Sequence, residues 1–426
     1  MNTTYNLTKL PNGATIATAA MPHMESVSIG VWSAVGARHE PTRQKGIAHF
    51  TEHLLFKGTQ KRSARRLIND VESVGGSVNA FTTHDHTCYY AKGPATKFNR
   101  LTDVLLDMYR CSTFPESEIN REREVIEEEI VMYREQPSQH VDDLLGATCW
   151  NRHPLGALIT GTPDSISRLH RNDFLNFTSR YYQARNTTIA VAGKIDHEKI
   201  VRRVTPALAN MPRGQKPRFK RFETAQAFRG PRIHIETRPI EQTHLALAFH
   251  ACHRRDPDRF ALKVLNVILG ENMSSRLFQQ VREKRGFCYE ISSAVHLLED
   301  TGIWQLYAGL DTDKVTRTLD IIWKELRRIS LTPPSEKEVR EACDYTIARS
   351  RVSLESTYQQ MMWTGESTLT FEEIVEPQTA WNQINRVTPA KIQKLAARIF
   401  RPRRLSIALI SPSLTKKDVR QTIRLA

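Results

Sequence analysis

One order of predicted strands and helices occurs twice along the chain, and this repetition limits the folds that are possible. After a basic, proline-containing stretch at 211–232, the order strand, strand, helix, helix, strand, helix begins again at an offset of roughly 200 residues. Strands and helices mix without strict βαβ alternation, which is typical of an α+β protein. We therefore expect two related α/β-sandwich domains, each a mixed sheet with helices packed on it, at residues 1–212 and 233–426, joined by a linker at 213–232.

Hydrophobic periodicity and turn residues predict the individual elements. In the first half they predict strands at 14–20 and 26–36, helices at 41–58 and 63–76, a strand at 77–93, helices at 96–112 and 117–136, and a strand at 187–193. In the second half they predict strands at 233–237 and 243–251, helices at 257–270 and 276–286, strands at 288–295 and 303–310, and a helix at 313–329.

Composition favours a globular protein that lies in a reducing compartment. The chain has 426 residues, of which 40% are hydrophobic and 25% charged, and apolar runs such as 245–249 are far too short to cross a membrane. The six cysteines are widely spread and form no C-x-x-C pair, which argues against a disulfide framework. The first residues show no basic segment followed by an apolar one. We therefore expect a cytoplasmic protein with no membrane partner.

The net charge of +15 raises the question of nucleic-acid binding. The basic residues are not well clustered, and the densest groups, at 61–66, 202–203, 211–222 and 401–404, are not interleaved with stacking aromatic residues. Solvated surface charge is the simpler interpretation, since charge by itself says little about function. We expect no nucleic-acid partner.

The sharpest motif in the chain is 49-HFTEH-53. On a helix, His49 and His53 lie one turn apart on the same face, so that two imidazole nitrogens can bind one zinc ion. Glu52 borders that face, where it can reach a water that the metal activates. In a chain of this composition the pattern H-x-x-E-H is expected by chance roughly 0.04 times. A histidine-rich helix without a catalytic role is therefore disfavoured, and the motif predicts a zinc site.

A catalytic zinc usually has three protein ligands, so a third ligand is needed. The predicted helix at 117–136 offers Glu122 and Glu129, two turns apart on one face together with apolar residues. Spacing alone does not choose between these two carboxylates. For three further glutamates of the helix a solvated position is the simpler interpretation: Glu124, Glu127 and Glu128.

Three segments together resemble the pitrilysin (insulinase) family of zinc metallopeptidases, and within it the short bacterial members similar to the mitochondrial processing peptidase: 46-GIAHFTEHLLFKGT-59, 75-GGSVNAFTTHDHTCYY-90 and 122-EREVIEEEIVMY-133. The resemblance covers essentially the whole chain in length and domain order. It implies that residues 1–212 form the catalytic, zinc-binding domain. It also implies that Glu129 is the third zinc ligand and that Glu122 supports the zinc ligands without binding the metal itself.

The resemblance also implies a substrate-binding strand. Members of the family bind an extended peptide along an edge strand near the zinc, and Asn79, Ala80 and Phe81 match the segment that does so. Such binding is β-augmentation, in which main-chain hydrogen bonds supply affinity. His84 and His86 share one side of the predicted strand, but the family does not use them as ligands, and we expect polar surface residues.

In the second half, 276-RLFQQVREKRGFCYEI-291 resembles the Arg/Tyr element of the family. The resemblance implies that Tyr289 helps to bind the carbonyl oxygen of the scissile bond and that Arg282 anchors the substrate backbone. Both groups are hydrogen-bond donors suited to an oxygen that gains charge. Without the resemblance, an arginine at a helix end and a tyrosine packed in a strand would be the simpler interpretation.

The motif and the family resemblance together predict a zinc-dependent endopeptidase acting on short or unfolded peptides, with one Zn²⁺ per chain and Glu52 as the general base. Because one chain carries both the zinc motif and the Arg/Tyr pair, we expect a homodimer enclosing a chamber, with a heterodimer as the alternative. The rival function is a non-catalytic core or partner subunit, against which the intact ligand set and Glu52 argue. Three physiological roles fit this prediction equally: general peptide clearance, removal of leader peptides and maturation of a cofactor precursor.

Overall fold

A computed structural model describes residues 3–223 and 230–423 of the chain. Its strands, in chain order, are β1 Thr4–Lys9, β2 Thr15–Ala20, β3 Ser26–Ser33, β4 Ser77–Thr82, β5 Thr87–Pro94, β6 Thr187–Gly193, β7 Arg232–Thr237, β8 Gln242–His250, β9 Cys288–Leu297, β10 Gly302–Asp311 and β11 Leu405–Ser411. They form one sheet of six strands and one of five.

The helices occupy most of the remaining described chain. In chain order the α-helices are α1 Ile47–Leu55, α2 Ala64–Glu72, α3 Phe98–Cys111, α4 Glu116–Glu135, α5 Pro137–Trp150, α6 Pro163–Ser167, α7 Arg171–Tyr181, α8 His197–Ala209, α9 Arg259–Asn266, α10 Val315–Leu331, α11 Glu336–Ser353, α12 Thr357–Phe371, α13 Pro377–Asn385, α14 Pro389–Ile399 and α15 Lys416–Thr422. Two segments are π-helical, Val267–Glu271 and Phe278–Glu283. Among these helices, none combines the length and the apolar character that a membrane span requires.

The chain divides into two compact units that are not continuous in sequence. The first unit comprises Met1–Val131, Ala157–Lys220 and Arg351–Glu376; the second comprises Met132–Gly156, Arg221–Ser350 and Pro377–Ala426. The domains predicted at 1–212 and 233–426 differ from these units, because 132–156 and 351–376 each belong to the unit of the other half. Of the predicted linker at 213–232, residues 224–229 lie outside the described residues.

The duplication predicted from the sequence is confirmed at the level of sheet topology. In the first unit the sheet order is β1-β2-β6-β3-β5-β4, with β2 parallel to β6 and the remaining neighbours antiparallel. In the second unit the order is β7-β11-β8-β10-β9, again with one parallel pair, β7 with β11. Five strands therefore repeat in the same order and directions, and β1 is an addition to the first unit. The α+β class with two related domains is confirmed.

Strand β6 directs its larger side chains to one face of the first sheet and its alanines to the other, because successive side chains of a strand point to opposite faces. Ile29, Ile189 and Val191 enter the main core together with helices α1, α3 and α7, and all three are fully buried. Ala190 and Ala192, which alternate with them in β6, lie in a separate cluster on the opposite face. The small alanine side chains leave room for a helix to approach that face closely.

The helix on this second face of the first sheet comes from the other half of the sequence. Helix α12 packs on β2, β3 and β6, and Met361 lies in one cluster with Trp32 and the alanines of β6. The contact is close: a Cβ on Gly365 would lie 2.3 Å from the indole ring of Trp32. The first unit therefore depends on residues more than 150 positions beyond its last strand.

Helix α5 makes the reciprocal contact in the second unit. Val141 and Leu145 pack against the small residues Ala246 and Ala248 of β8 and Ala408 of β11. The two exchanged helices thus cover equivalent strands of the duplicated sheets. This exchange is the physical reason that the units differ from two contiguous domains.

Two local predictions differ from the structure. The strand predicted at 77–93 is a hairpin, in which β4 and β5 pair antiparallel with Thr82 opposite Thr87. Thr83 closes the turn, since its hydroxyl accepts hydrogen bonds from the backbone N–H groups of Asp85 and His86. Strand β1 was not predicted; it pairs antiparallel with β2.

Candidate metal centre

Helix α1, which carries the histidine motif, is anchored at its N-terminus by two residues. Gly46 precedes the helix with φ 91°, a left-handed conformation that favours glycine, and a Cβ there would lie 2.6 Å from the carbonyl oxygen of Thr160. The carboxylate of Glu40 accepts hydrogen bonds from the backbone N–H groups of Gly46 at 3.0 Å and Ala48 at 2.9 Å. Burial raises the pKa of Glu40 to about 7, although both N–H donors oppose the shift. Glu40 was not predicted as a site residue, because a carboxylate that accepts from these N–H groups from outside the first turn of the helix leaves no short-range signal in the sequence.

The two histidines of α1 lie side by side on one face, as their spacing predicts. Phe50 and Leu54 point into the core and are fully buried, and the rings of His49 and His53 have centroids 4.6 Å apart. Burial, and to a smaller extent the charge of His53, lowers the pKa of His49 to about 3. His49 is therefore a neutral imidazole at neutral pH, the form that binds metals.

Helix α4 brings one of its two candidate glutamates to these rings. Ile126 is buried on the core face of the helix, and Glu129, which follows it by three positions, lies next to the histidines. Oε2 of Glu129 is 3.7 Å from Nε2 of His49 and 3.7 Å from Nε2 of His53. Within the described residues these three form the one group of three His, Cys, Asp or Glu side chains whose ligand atoms converge, all within 4.8 Å of one another.

The other glutamate, Glu122, lies behind His53. Its Oε2 is 3.1 Å from Nδ1 of His53, and its Oε1 is 2.5 Å from Nζ of Lys57. Burial alone would raise the pKa of Glu122, but the hydrogen bonds from His53 and Lys57 outweigh burial and hold this pKa below its ordinary value. Because Nδ1 donates to the carboxylate, the lone pair of His53 lies on Nε2, which faces Glu129. Lys57 was not predicted as a site residue, although its spacing of four residues from His53 places it on the same side of the chain one turn later.

Glu52, at the border of the histidine face of α1, interacts electrostatically with His53 and Glu129. Its Oε2 accepts a hydrogen bond of 2.5 Å from the hydroxyl of Thr82, at the end of β4. Burial raises the pKa of Glu52, and the hydrogen bond from Thr82 partly offsets that rise. Thr82 was not predicted as a site residue, because it is 30 positions away in sequence.

Strand β4 is the edge strand of its sheet, with a single neighbour, β5. Asn79, Ala80 and Phe81 therefore lie on a strand with one open edge. The backbone N–H of Ala80 donates to Oδ1 of Asn79 at 2.8 Å. Phe81 packs edge to face on Trp32, with ring centroids 5.7 Å apart. An open edge of this kind is what an added peptide strand requires.

The remaining polar residues of these segments have mixed outcomes. Glu124 and Glu128 are exposed, as expected, whereas Glu127 is half-buried. His86 is 5% exposed and packs on Trp32, so its assignment as a surface residue was wrong. The hairpin turn directs it inward, a feature that a single long strand did not predict.

The donor set fits a zinc ion. Zinc holds nitrogen and oxygen ligands at roughly 2.0–2.1 Å in a tetrahedron, which puts ligand atoms about 3.3–3.4 Å apart. The observed separations of 3.7 Å between Glu129 Oε2 and each Nε2 are close to that spacing. Oε2 of Glu129 is also buried without a hydrogen bond from any described residue, a costly state for a carboxylate oxygen unless a cation neutralises it.

Arg282 and Tyr289 lie in the second unit. Arg282 is in the π-helical segment Phe278–Glu283, and its guanidinium lies 5.4 Å from the ring centroid of Tyr289 and 4.7 Å from that of Phe278. Tyr289 lies in edge strand β9 and is 81% exposed. The structure therefore places the two residues next to each other, and the tyrosine is not packed in a core.

Two family models match consecutive parts of the chain. The model described as Insulinase (Peptidase family M16) matches residues 15–163, and the model described as Peptidase M16 inactive domain matches residues 168–345. The first range contains the convergent side chains His49, His53 and Glu129, and the second contains Arg282 and Tyr289.

Several relatives match this chain over nearly its full length. An uncharacterized zinc protease of Streptomyces coelicolor is 34% identical over 98% of this chain and 92% of its own. An uncharacterized zinc protease of Bacillus subtilis is 34% identical over 94% of this chain and 97% of its own. One from Rickettsia bellii is 31% identical over 97% and 99%.

Solved structures share the fold. A protease from Helicobacter pylori matches with a TM-score of 0.89 at 20% identity, covering 96% of this chain and 100% of that one. A structure described as the peptidase M16 inactive domain from Pseudomonas fluorescens matches with a TM-score of 0.87 at 18% identity, covering 96% and 99%. At these identities the likeness concerns the fold alone. The full-length relatives exceed 30% identity and the two family models span both halves, so the chain belongs to the pitrilysin (insulinase) family of zinc peptidases.

Proposed function

We propose that this chain is a zinc-dependent endopeptidase that hydrolyses short or unfolded peptides. The observation that carries the proposal is the convergence of Nε2 of His49, Nε2 of His53 and Oε2 of Glu129. The carboxylate of Glu52 interacts electrostatically with His53 and Glu129 of this group. In this proposal His49, His53 and Glu129 hold one Zn²⁺ per chain, and Glu122 orients His53 through Nδ1.

Glu52 is the proposed general base. A bound zinc ion would make a water nucleophilic at neutral pH and polarise the carbonyl group of the scissile bond. Oε1 of Glu52 accepts no hydrogen bond from any described residue, so it is open to the proton of the attacking water. As the water oxygen adds to the carbonyl carbon, Glu52 takes that proton, and it transfers the proton to the departing amine nitrogen when the C–N bond breaks.

The substrate contacts in this proposal come from the family resemblance and agree with the local geometry. Asn79, Ala80 and Phe81 lie on an edge strand, to which an extended peptide can add by main-chain hydrogen bonds. This mode of binding requires an unfolded segment, which is why short or unfolded peptides are the proposed substrates. Tyr289 is proposed to bind the carbonyl oxygen of the scissile bond and Arg282 to anchor the substrate backbone.

We also propose a cytoplasmic location, which the widely spread cysteines favour. We further propose a homodimer, because one chain carries both the zinc motif and the Arg/Tyr pair; a heterodimer is the alternative. Sedimentation of the purified chain alone distinguishes these states. The rival function is a non-catalytic subunit. Against it stands the complete set of ligands together with a general base held by a hydrogen bond.

The test is zinc content per chain by elemental analysis, on the wild type and on Glu129→Gln, together with cleavage of a quenched unstructured peptide. We expect about one zinc in the wild type and chelator-sensitive cleavage, both lost in the variant. Glu52→Gln should keep zinc and lose cleavage. Zinc without cleavage by the pure chain would favour the partner-subunit function, and a chain without zinc would refute the proposal.

A further inference from the structure

We infer that Thr82 is a positioning residue for Glu52: its hydroxyl holds one carboxylate oxygen so that the other is aimed at the proton to be transferred. The inference rests on the proposed function, since it concerns how the proposed general base is oriented. Thr82 is the last residue of β4 and Glu52 lies in helix α1, 30 positions earlier in the sequence. Oγ1 of Thr82 is 2.5 Å from Oε2 of Glu52.

The direction of the Thr82 side chain follows from the alternation of β4. Val78 and Ala80 pack against the main core of the first unit, where α1 lies, whereas Phe81 lies in the cluster on the opposite face. Thr82 alternates with Phe81 and so shares the face of Val78 and Ala80. The strand backbone therefore directs the hydroxyl of Thr82 to Glu52.

The chemistry of the neighbours assigns the hydroxyl proton. An ionised Glu52 can only accept, so Thr82 is the donor. The other hydroxyl nearby belongs to Thr87, 3.5 Å from Oγ1 of Thr82, but it donates to the carbonyl oxygen of Val35 at 3.0 Å. The Thr82 proton is thus directed to the carboxylate, and no second carboxylate of the described chain competes for it.

This contact gives the two oxygens of Glu52 different tasks. Oε2 is held by a short, charge-assisted hydrogen bond, and Oε1 has no hydrogen-bond partner among the described residues. A carboxylate fixed at one oxygen cannot rotate freely, so the free oxygen keeps a defined direction. Such fixed orientation is what makes proton transfer efficient.

The same strand is the proposed peptide-binding edge. Ala80 and Thr82 are two positions apart and lie on the same face, so the strand that would hold the substrate backbone also holds the base. The position of the peptide relative to Oε1 of Glu52 is then defined by one rigid element, rather than by a flexible loop.

The experiment compares Thr82→Val, which keeps the shape but removes the hydroxyl, with Thr82→Ser, which keeps the hydroxyl. On the full chain we expect Thr82→Val to lower kcat roughly 10- to 100-fold with KM within about twofold and zinc content unchanged. Thr82→Ser should restore most of kcat. Thr87→Val is the matched control: it removes the neighbouring buried hydroxyl, and it should lower the melting temperature while leaving kcat within about twofold of the wild type.

Three outcomes would overturn the inference. They are Thr82→Val with kcat like the wild type, Thr82→Ser as impaired as Thr82→Val, and loss of zinc from Thr82→Val. Glu52→Gln separates this inference from the proposed function. If Glu52→Gln is inactive and Thr82→Val is fully active, the role of Thr82 alone is refuted. If Glu52→Gln keeps full activity, the proposed function fails and this inference with it.

Discussion

Nδ1 of His53 lies 3.1 Å from Oε2 of Glu122, so one buried carboxylate determines which nitrogen of that ring is free for a metal. The other oxygen of Glu122 contacts the ammonium group of Lys57 at 2.5 Å. These two contacts explain why Glu122 stays ionised although it is only 4% exposed. Glu122 therefore contacts the Nδ1 side of His53, whereas Glu129 of the same helix faces Nε2 of both histidines.

Replacing Glu122 by glutamine is expected to weaken zinc binding without removing a proposed ligand. The neutral amide is a weaker acceptor for Nδ1–H of His53, and it no longer balances Lys57. We expect the zinc dissociation constant to rise roughly 10- to 100-fold, measured by competition with a chromogenic chelator. Glu124→Gln, an exposed position of the same helix, is the control and should bind zinc like the wild type. Equal affinities for both variants would contradict a role of Glu122 in the site.

Replacing Glu40 by alanine is expected to destabilise the protein through helix α1. The change leaves the backbone N–H groups of Gly46 and Ala48 buried without their acceptor. The free energy of unfolding should fall by about 2 kcal/mol or more, measured by urea denaturation. Glu25→Ala removes a carboxylate whose side chain is 88% exposed, and it should change that free energy by less than about 0.5 kcal/mol. A Glu40→Ala protein as stable as Glu25→Ala would show that this buried carboxylate does not anchor the helix.

The two glycines Gly365 and Gly146 lie in the exchanged helices and are expected to respond oppositely to alanine. In α12, a Cβ on Gly365 would lie 2.3 Å from the buried ring of Trp32. In α5, apart from the neighbouring backbone of the helix itself, no atom of the described residues lies within 4 Å of a Cβ on Gly146. Gly365→Ala should lower the free energy of unfolding by about 1–3 kcal/mol. Gly146→Ala should raise it by about 0.5–1 kcal/mol, because alanine favours the helix. If thermal and urea denaturation rank the two variants in the opposite order, α12 does not pack on Trp32 as described.

Acid is expected to destabilise the second unit through His250. This ring is buried, its Nε2–H donates to the carbonyl oxygen of Cys149 at 3.2 Å, and it stacks on Phe222. Burial lowers its pKa from 6.5 to about 3, so between these values the unfolded chain binds a proton that the folded chain does not. The contribution of His250 is therefore fully present above pH 6.5 and falls by about 1.4 kcal/mol per pH unit below it.

The measurement is urea denaturation between about pH 7 and pH 5. His250→Phe keeps an aromatic ring and removes the titrating group, so its stability should fall less steeply with acid than that of the wild type. Other buried histidines, such as His39 and His49, contribute equally to both proteins and cancel in the comparison. Parallel pH profiles would refute the assignment to His250.

Features that depend on local periodicity could be predicted from the amino-acid sequence. His49, Glu52 and His53 belong to one helix, and the 3.6-residue period places the two rings together without knowledge of the rest of the fold. The repeated order of strands and helices likewise predicted two related α+β domains, because strand and helix patterns are read over short windows. The family resemblance assigned Glu129 in place of Glu122, where spacing alone was undecided.

Contacts between residues far apart in sequence could not be predicted and are visible only in the three-dimensional fold. Thr82, at the end of a hairpin strand, donates to Glu52 of helix α1, and Glu40 accepts from the backbone N–H of Gly46 at the start of that helix. No sequence motif marks either contact.

The exchange of α5 and α12 between the two halves of the chain could also not be predicted from the sequence. The buried side of α12 combines Met361 with polar residues such as Thr364 and Thr368, so the sequence shows no apolar face that would reveal its packing. The sheet that accepts each exchanged helix is the one that offers it a face of small alanine residues.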